Sequence, residues 1–202
     1  MIYKDKFENI NKTIWKSECS YPSLEYGFIR FNLHPGKLNT PKTWSKLVYQ
    51  DKTFRYGSYN LKFRYNRRPL EAEVWAGWAL YSDDHDKINE INFGIETACK
   101  KRCNDQTLIF ETYKDNKNTE ILTQTGVTLF DNKWHIVRLY YASEYIVLYF
   151  DDKLMYNLKN KNLIPTEEME LIFGARVVSG KLKSLFYMDV AELGFSEELA
   201  KV

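Results

Sequence analysis

The stretch Ile88-Asn89-Glu90-Ile91-Asn92-Phe93-Gly94-Ile95-Glu96 alternates between apolar and polar residues over most of its length. Side chains on a β-strand point to opposite faces in turn. One face therefore carries Ile91, Phe93 and Ile95, and the other carries Glu90, Asn92, Gly94 and Glu96. The pattern predicts a half-buried strand whose apolar face lies on a hydrophobic core. Its polar face then meets either solvent or a cleft.

Eight further runs have the same alternating or β-rich character, and turn sequences such as His34-Pro35-Gly36 and Ser179-Gly180 separate them. The runs are Gly27–Leu33, Ser58–Tyr65, Glu73–Tyr81, Thr107–Tyr113, Trp134–Tyr141, Tyr145–Phe150, Glu170–Phe173 and Phe186–Phe195. Long helical periodicity, repeats and low-complexity segments are absent from the sequence. It therefore predicts an all-β sandwich or jelly roll of two antiparallel sheets, formed as one domain over residues 1–202.

The composition is that of a globular protein, with 44% apolar and 28% charged residues, and its 16% of aromatic residues favours strands. The 29 basic and 27 acidic residues leave a formal charge of only +2, so nothing in the charge favours nucleic acid or anionic lipid as a partner. The longest apolar run, Tyr145–Phe150, is far shorter than the roughly 20 residues of a membrane span, and Met1–Ile10 lacks a signal-peptide core. We expect a soluble chain without a membrane span.

The cysteines and histidines do not favour a metal centre or a disulfide scaffold. The chain has three of each, and the odd number of cysteines leaves at least one unpaired. Cys99 and Cys103 are close enough in sequence to form a small disulfide ring, and the sequence leaves open whether they pair. Structural zinc would need more ligands near them.

Several segments, taken in order, resemble glycoside hydrolase family 16 within the concanavalin A-like lectin and glucanase superfamily. They are Phe54–Phe63, Ala76–Tyr81, Asn89–Gly94, the pair Phe130–Val137 with Tyr145–Lys153, and Tyr187–Val190. The match runs from about residue 50 to 195. The hairpin around Trp134-His135 is shared across the superfamily and indicates the fold. Only the segment at Glu90, which falls where the family carries Glu-x-Asp-x-Glu, indicates the family.

The resemblance to the catalytic strand is partial. Glu90 stands at the nucleophile position, Asn92 replaces the middle Asp, and Gly94 replaces the Glu that acts as acid and base. Retaining hydrolysis needs a second carboxyl group about 5 to 5.5 Å from the nucleophile. Glu96 lies on the same face of the strand but too far along it without a bulge, and Asp86 precedes the strand. The resemblance therefore implies little or no hydrolysis unless Glu96 or Asp86 supplies a displaced acid.

A saccharide cleft can persist without catalysis, because sugar binding uses aromatic platforms and converging polar groups. The candidate sugar-binding residues are Arg55, Trp78, Tyr81, Glu90, Asn92, Glu111 and Tyr113. We assign the other tryptophans mainly to packing or loop contacts. Asp189 resembles a position that some family members use as a structural calcium ligand, so one calcium ion is possible and no cofactor is required.

Three hypotheses follow from these observations. The preferred one is a carbohydrate-binding or recognition module, lectin-like and related to β-glucan hydrolases, that binds an oligo- or polysaccharide with little or no hydrolysis. The second is an active retaining β-glucan hydrolase that uses Glu90 with a displaced acid. The third is a structural or protein-interaction jelly roll. The resemblance favours an extracellular or cell-surface location, while the sugar and the oligomeric state do not follow from the sequence.

Overall fold

The computed structural model describes residues 2–37, 40–84, 86–97 and 104–197, and for Ile2, Lys37, Pro41 and Glu96 it describes the backbone alone. These residues form sixteen β-strands and two short 3₁₀ turns, Pro41–Thr43 and Lys161–Leu163. The strands are β1 (Ile2–Asp5), β2 (Trp15–Cys19), β3 (Ser23–Glu25), β4 (Phe28–Leu33), β5 (Gly36–Lys37), β6 (Trp44–Tyr49), β7 (Gly57–Tyr65), β8 (Ala72–Asp84), β9 (Lys87–Glu96), β10 (Thr107–Lys114), β11 (Lys117–Gln124), β12 (His135–Tyr141), β13 (Ile146–Phe150), β14 (Lys153–Leu158), β15 (Glu170–Leu182) and β16 (Phe186–Ser196).

The strands form two antiparallel sheets. The front sheet has the order β11-β10-β9-β8-β15-β6-β2, with β5 paired to β15. The back sheet has the order β14-β13-β12-β7-β16-β4-β3, with β1 paired to β16. The predicted jelly-roll sandwich of two antiparallel sheets is therefore confirmed. No helix in the described part of the chain has the length and apolar character needed to cross a membrane.

One hydrophobic core lies between the sheets and is rich in aromatic rings. Phe31 of β4 contacts Phe173 of β15 edge to face, with ring centroids 5.2 Å apart. Tyr59 of β7 meets Trp78 of β8 at the same distance. Both pairs join one sheet to the other, the second with its rings tilted by 53°, and aromatic pairs of this kind stabilise a core beyond the area that they bury. The inward faces of the strands supply the rest of the core, as the alternating patterns predicted.

All nine predicted strands are present, although β15 extends nine residues beyond the predicted end at Phe173. The sequence reasoning did not identify β1, β2, β3, β5, β6, β11 and β14. Most of these are short or lie at or near the edge of a sheet, where one side of the strand has no partner strand. They complete the two sheets without changing their architecture.

Candidate functional site

The outer face of the front sheet carries the polar side of β9. Ile91, Phe93 and Ile95 are at most 2% exposed and lie in the core, as predicted. Glu90, Asn92 and Gly94 therefore point outward, because successive side chains alternate along the strand. Antiparallel pairing then fixes which residues of the neighbouring strands lie beside them.

Four rows of outward-facing residues cross the front sheet. The Glu90 row contains Glu170, Tyr81, Glu90, Tyr113 and Asn118. The Asn92 row contains Val48, Ile172, Ala79, Asn92, Glu111 and Glu120. The glycine row contains Lys46, Gly174, Gly77, Gly94, Ile109 and Leu122. The tryptophan row contains Trp44, Arg176, Trp75 and the backbone of Glu96.

Asn92 holds two carboxylates together. Its Nδ2 donates hydrogen bonds of 2.9 Å to Oε1 of Glu90 and to Oε2 of Glu111 on the neighbouring strand. The two accepting oxygens are therefore separated by at most twice that distance, about 5.8 Å. Asn92 is only 4% exposed, and its Oδ1 is buried without a hydrogen-bond partner in the described residues. The amide is thus fixed with its donors toward the two carboxylates.

The electrostatic environment of Glu111 differs from that of an ordinary surface carboxylate. Burial raises the pKa of Glu111, and the nearby carboxylate of Glu120 raises it further, while the hydrogen bond from Asn92 opposes both effects. Burial disfavours the charged form of a carboxyl group. Glu111 therefore keeps its proton to a higher pH than a solvated Glu does.

The glycine row forms a side-chain-free strip across three adjacent strands, β15, β8 and β9. A Cβ atom on Gly94 would lie 2.2 Å from the carbonyl oxygen of Ala76, and one on Gly77 would lie 2.0 Å from that of Phe93. A Cβ on Gly174 would lie 2.3 Å from the carbonyl oxygen of Ser45. The backbones approach too closely for any side chain, so the floor of this strip consists of peptide groups.

Charged groups from two of the rows affect the Tyr81 hydroxyl. Burial is the main cause that raises the pKa of the Tyr81 hydroxyl; Asp83 and Glu90 also raise it, whereas Arg176 lowers it. The phenol thus lies within electrostatic range of Glu90 in its own row and of Arg176 in the tryptophan row. Arg176 is exposed, and its guanidinium lies 5.6 Å from the ring centroid of Trp44.

The predicted role of Trp78 as a sugar platform is wrong. Trp78 has no exposed surface, and its ring stacks on Phe93 inside the core at 5.3 Å. Trp44 and Trp75, which we had assigned to packing or loops, instead lie half-buried on the outer face. Trp75 and Trp78 are three residues apart on one strand, so they point to opposite faces.

The other predicted sugar-binding residues divide into two groups. Tyr81, Glu90, Asn92, Glu111 and Tyr113 all lie in the Glu90 and Asn92 rows. Arg55 instead lies in the loop before β7, exposed, with its guanidinium 4.8 Å from the ring of Tyr56. Binding by any of these residues stays a prediction.

Of the two predicted replacement acids, only Asp86 has a described side chain, and it lies away from this cluster. Asp86 is exposed in the turn between β8 and β9, four residues before Glu90, and its backbone oxygen accepts a hydrogen bond from Asn116. The side chain of Glu96 lies outside the described residues, as do Cys99 and Cys103. The carboxyl group that does lie beside Glu90 belongs to Glu111, which sequence spacing could not reveal because it comes from another strand.

The prediction that Asp189 is a calcium ligand is wrong. Asp189 is fully buried, and its carboxylate accepts hydrogen bonds of 2.7 and 3.0 Å from Arg30 and of 2.8 Å from Arg64. Two guanidinium groups thus occupy both of its oxygens and repel a cation. Within the described residues no group of three or more His, Cys, Asp or Glu side chains could hold a metal ion. Calcium binding elsewhere stays a prediction.

A shallow pocket of about 300 Å³ lies on the outer face of the back sheet. Its lining includes Lys4, Asn60, Arg138 and Glu192, and none of the predicted site residues. Lys4 and Asn60 both contact the carboxylate of Glu192. Because none of the predicted site residues lines this pocket, we place the candidate site on the front sheet, where five of them lie in adjacent rows.

Comparison with known proteins gives a limited match in sequence. No family model matches the chain. A stretch of 99 residues, 48% of the chain, is 36% identical to part of the collagen alpha-1(XXI) chain of Xenopus laevis. That stretch spans only 10% of the collagen chain.

Comparison with solved structures covers nearly the whole chain. The β-glucanase of Bacillus licheniformis superposes with a TM-score of 0.78 at 13% identity, over 98% of both chains. A β-1,3-1,4-glucanase derived from a mouse hindgut metagenome gives 0.77 at 13% identity, over 98% of this chain and 99% of that one. The laminarinase catalytic domain of Thermotoga maritima gives 0.75 at 13% identity, over 98% of both chains. Further matches are glycoside hydrolases of family 16. The chain therefore has the fold of the glycoside hydrolase family 16 β-glucanases, as the resemblance in sequence predicted.

Proposed function

We propose that the outer face of the front sheet binds an oligo- or polysaccharide, as a recognition module with little or no hydrolytic activity. The binding surface is a channel whose floor is the glycine row and Asn92 row. Its walls are the tryptophan row and the Glu90 row, about 20 Å apart between Cα atoms at roughly 3.3 Å per residue. The side-chain-free glycine strip between aromatic and hydrogen-bonding residues carries the proposal, because sugars bind through ring stacking and converging polar groups.

The fold supports β-linked glucans as the first ligands to test, because the solved structures that share it are β-glucanases. The absence of a side chain at Gly94 supports the low activity, since that position in the family supplies the acid. Such a module would act where polysaccharides occur, outside the cell or at its surface.

Calorimetric titration with laminarin and β-1,3-1,4-glucan oligosaccharides tests the binding. Trp75→Ala should weaken it about tenfold, since an aromatic contact contributes roughly 0.5–1.5 kcal/mol beyond its buried area. Trp134→Ala is the matched control, because Trp134 is half-buried outside the channel rows and contacts Phe28 of the back sheet. No binding by the wild type, or an equal loss in both variants, would contradict the proposal. Binding of proteins alone would instead favour an interaction module.

A second candidate function is retaining hydrolysis with Glu90 as nucleophile and Glu111 as the acid. The observation that favours it is the shared Asn92 amide, which donates hydrogen bonds of 2.9 Å to both carboxyl groups and so keeps them close together, as retaining hydrolysis requires. The raised pKa of Glu111 suits a proton donor. Glu111 would protonate the departing glycosidic oxygen while a Glu90 oxygen bonds to the anomeric carbon. Water, deprotonated by Glu111, would then release the sugar.

Reducing-end release from the same glucans separates the two functions. If Glu90 and Glu111 catalyse hydrolysis, Glu90→Gln and Glu111→Gln should each lose the activity. Glu120→Gln is the control, because it removes a neighbouring carboxylate and should retain the activity. Binding without any turnover supports the recognition module and excludes this pair as a catalyst.

A further inference from the structure

Among the arginines that the structure describes, Arg176 differs from most in making no ion pair with a described carboxylate. Five of the described arginines pair with an Asp or Glu, namely Arg30, Arg64, Arg67, Arg68 and Arg138. Arg176 makes no such pair with the described side chains, and neighbouring Lys46 is already bound to Glu18 at 2.8 Å. The guanidinium of Arg176 therefore keeps its hydrogen-bond donors available on the channel face.

The surroundings of Arg176 suit a sugar ring that carries a charge. Trp44 and Trp75 are its register partners on the two adjacent strands, so their Cα atoms lie about 10 Å apart at the usual strand spacing. Both are half-buried and face outward. Indole faces pack against the apolar faces of sugars, and a guanidinium presents a planar fork of donors that matches a carboxylate.

We propose that the tryptophan row is a subsite for an acidic sugar, in which Arg176 binds an anionic substituent, a carboxylate or a sulfate ester, between the indoles of Trp44 and Trp75. The inference rests on the proposed saccharide channel and names the class of sugar that it selects.

The opposite side of the channel carries a cluster of carboxyl groups. Glu90, Glu111, Glu120 and Glu170 all lie in the Glu90 and Asn92 rows, and Glu170 is exposed there. These carboxyl groups repel an anionic substituent. A glycan that places its charge beside Arg176 lies farther from these carboxyl groups, whereas a neutral glycan gains no charge attraction from Arg176.

Calorimetric titration with three tetrasaccharides tests the subsite: β-1,4-linked glucose, its C6-oxidised glucuronate counterpart, and a C6-sulfated counterpart. The wild type should bind at least one of the two anionic forms about tenfold more tightly than the neutral one, as expected for a charge-assisted hydrogen bond. The preference should weaken at high salt, because screening reduces the attraction at an exposed site.

Arg176→Gln should remove the preference, so that the ratio of the anionic to the neutral affinity falls to about one. Arg138→Gln is the matched control, since it removes one positive charge from the back sheet and should preserve the preference. Equal affinity of the wild type for all three sugars, or a preference that persists in Arg176→Gln, would overturn the subsite while leaving saccharide binding intact. Failure to bind any of the three sugars, with laminarin also unbound, would remove the proposed function itself.

Discussion

Asn92 stabilises two neighbouring carboxyl groups on the outer face of the front sheet. An amide donates two hydrogen bonds and carries no charge, so it neutralises part of the repulsion between Glu90 and Glu111 without adding to it. The Asp found at this position in the family pattern would place a third carboxylate between them.

We expect Asn92→Asp to destabilise the protein by about 2–4 kcal/mol at pH 7, because it buries an unpaired charge beside two others. Lowering the pH should reduce this loss of stability. The pKa of Glu111 is raised in the folded chain, so protonation of this carboxyl group at lower pH favours the folded state and removes one of the neighbouring charges. Urea unfolding at pH 7 and pH 5 measures the effect. Asn118→Asp, at an exposed residue of the Glu90 row, should cost less than about 0.5 kcal/mol; an equal cost for both would contradict this account.

Gly94 cannot simply be restored to a catalytic Glu. Its Cβ would lie 2.2 Å from the Ala76 oxygen, so β8 and β9 would have to separate. We expect Gly94→Ala to destabilise the fold by about 3 kcal/mol or more, as measured by urea unfolding. Gly126→Ala is the control: its φ of +87° adds some strain, but nothing lies within 4 Å of the new atom. A smaller loss at Gly94 than at Gly126 would show that the strands can separate easily.

At the scale of elements, Asp189 joins three strands of the back sheet. It lies on β16 and binds Arg30 of β4 and Arg64 of β7, the strands that flank it. Removing one member of a buried ion pair leaves the remaining charges uncompensated. The contact is therefore structural, and it replaces the metal-ligand role that the sequence had suggested.

Asp189→Asn should lower the free energy of unfolding by about 3 kcal/mol, because two guanidinium groups lose their counter-ion. Glu192→Gln on the same strand removes a more exposed carboxylate that pairs with Lys4, and should cost less than about 1 kcal/mol. Thermal or urea unfolding of the two variants measures the difference. Similar losses in both would mean that burial of Asp189 adds nothing to the pair.

The elements that the sequence predicted are those with a clear alternating face. β11 was not predicted, because it lies at the edge of the front sheet and buries only Thr123 among its eight residues. In β6 the polar residue Ser45 occupies a buried position and interrupts the pattern. In β8 the run from Val74 to Leu80 is apolar or small on both faces, so period-two reasoning could not tell which of Trp75 and Trp78 faces the core.

At the scale of the whole molecule, the two sheets share one core, so we expect them to unfold together. Pairs such as Phe31 with Phe173 and Tyr59 with Trp78 cross between the sheets. Far-ultraviolet circular dichroism and tryptophan fluorescence should therefore give coincident urea transitions. Separate midpoints would contradict the prediction of one domain. The sequence anticipated this architecture from strand patterns, but the channel depends on cross-strand register, which a single sequence does not encode locally.

The five tryptophans divide into two optical classes because of where the fold places them. Trp15 and Trp78 are buried in the core, whereas Trp44, Trp75 and Trp134 are only partly buried. An aqueous quencher such as acrylamide reaches the second class far more readily than the first. A ligand in the channel would shield two of the three accessible indoles, while the core pair would continue to report folding. Fluorescence from the accessible indoles would therefore report ligand binding, and fluorescence from the buried indoles would report folding. Neither measurement requires an added dye.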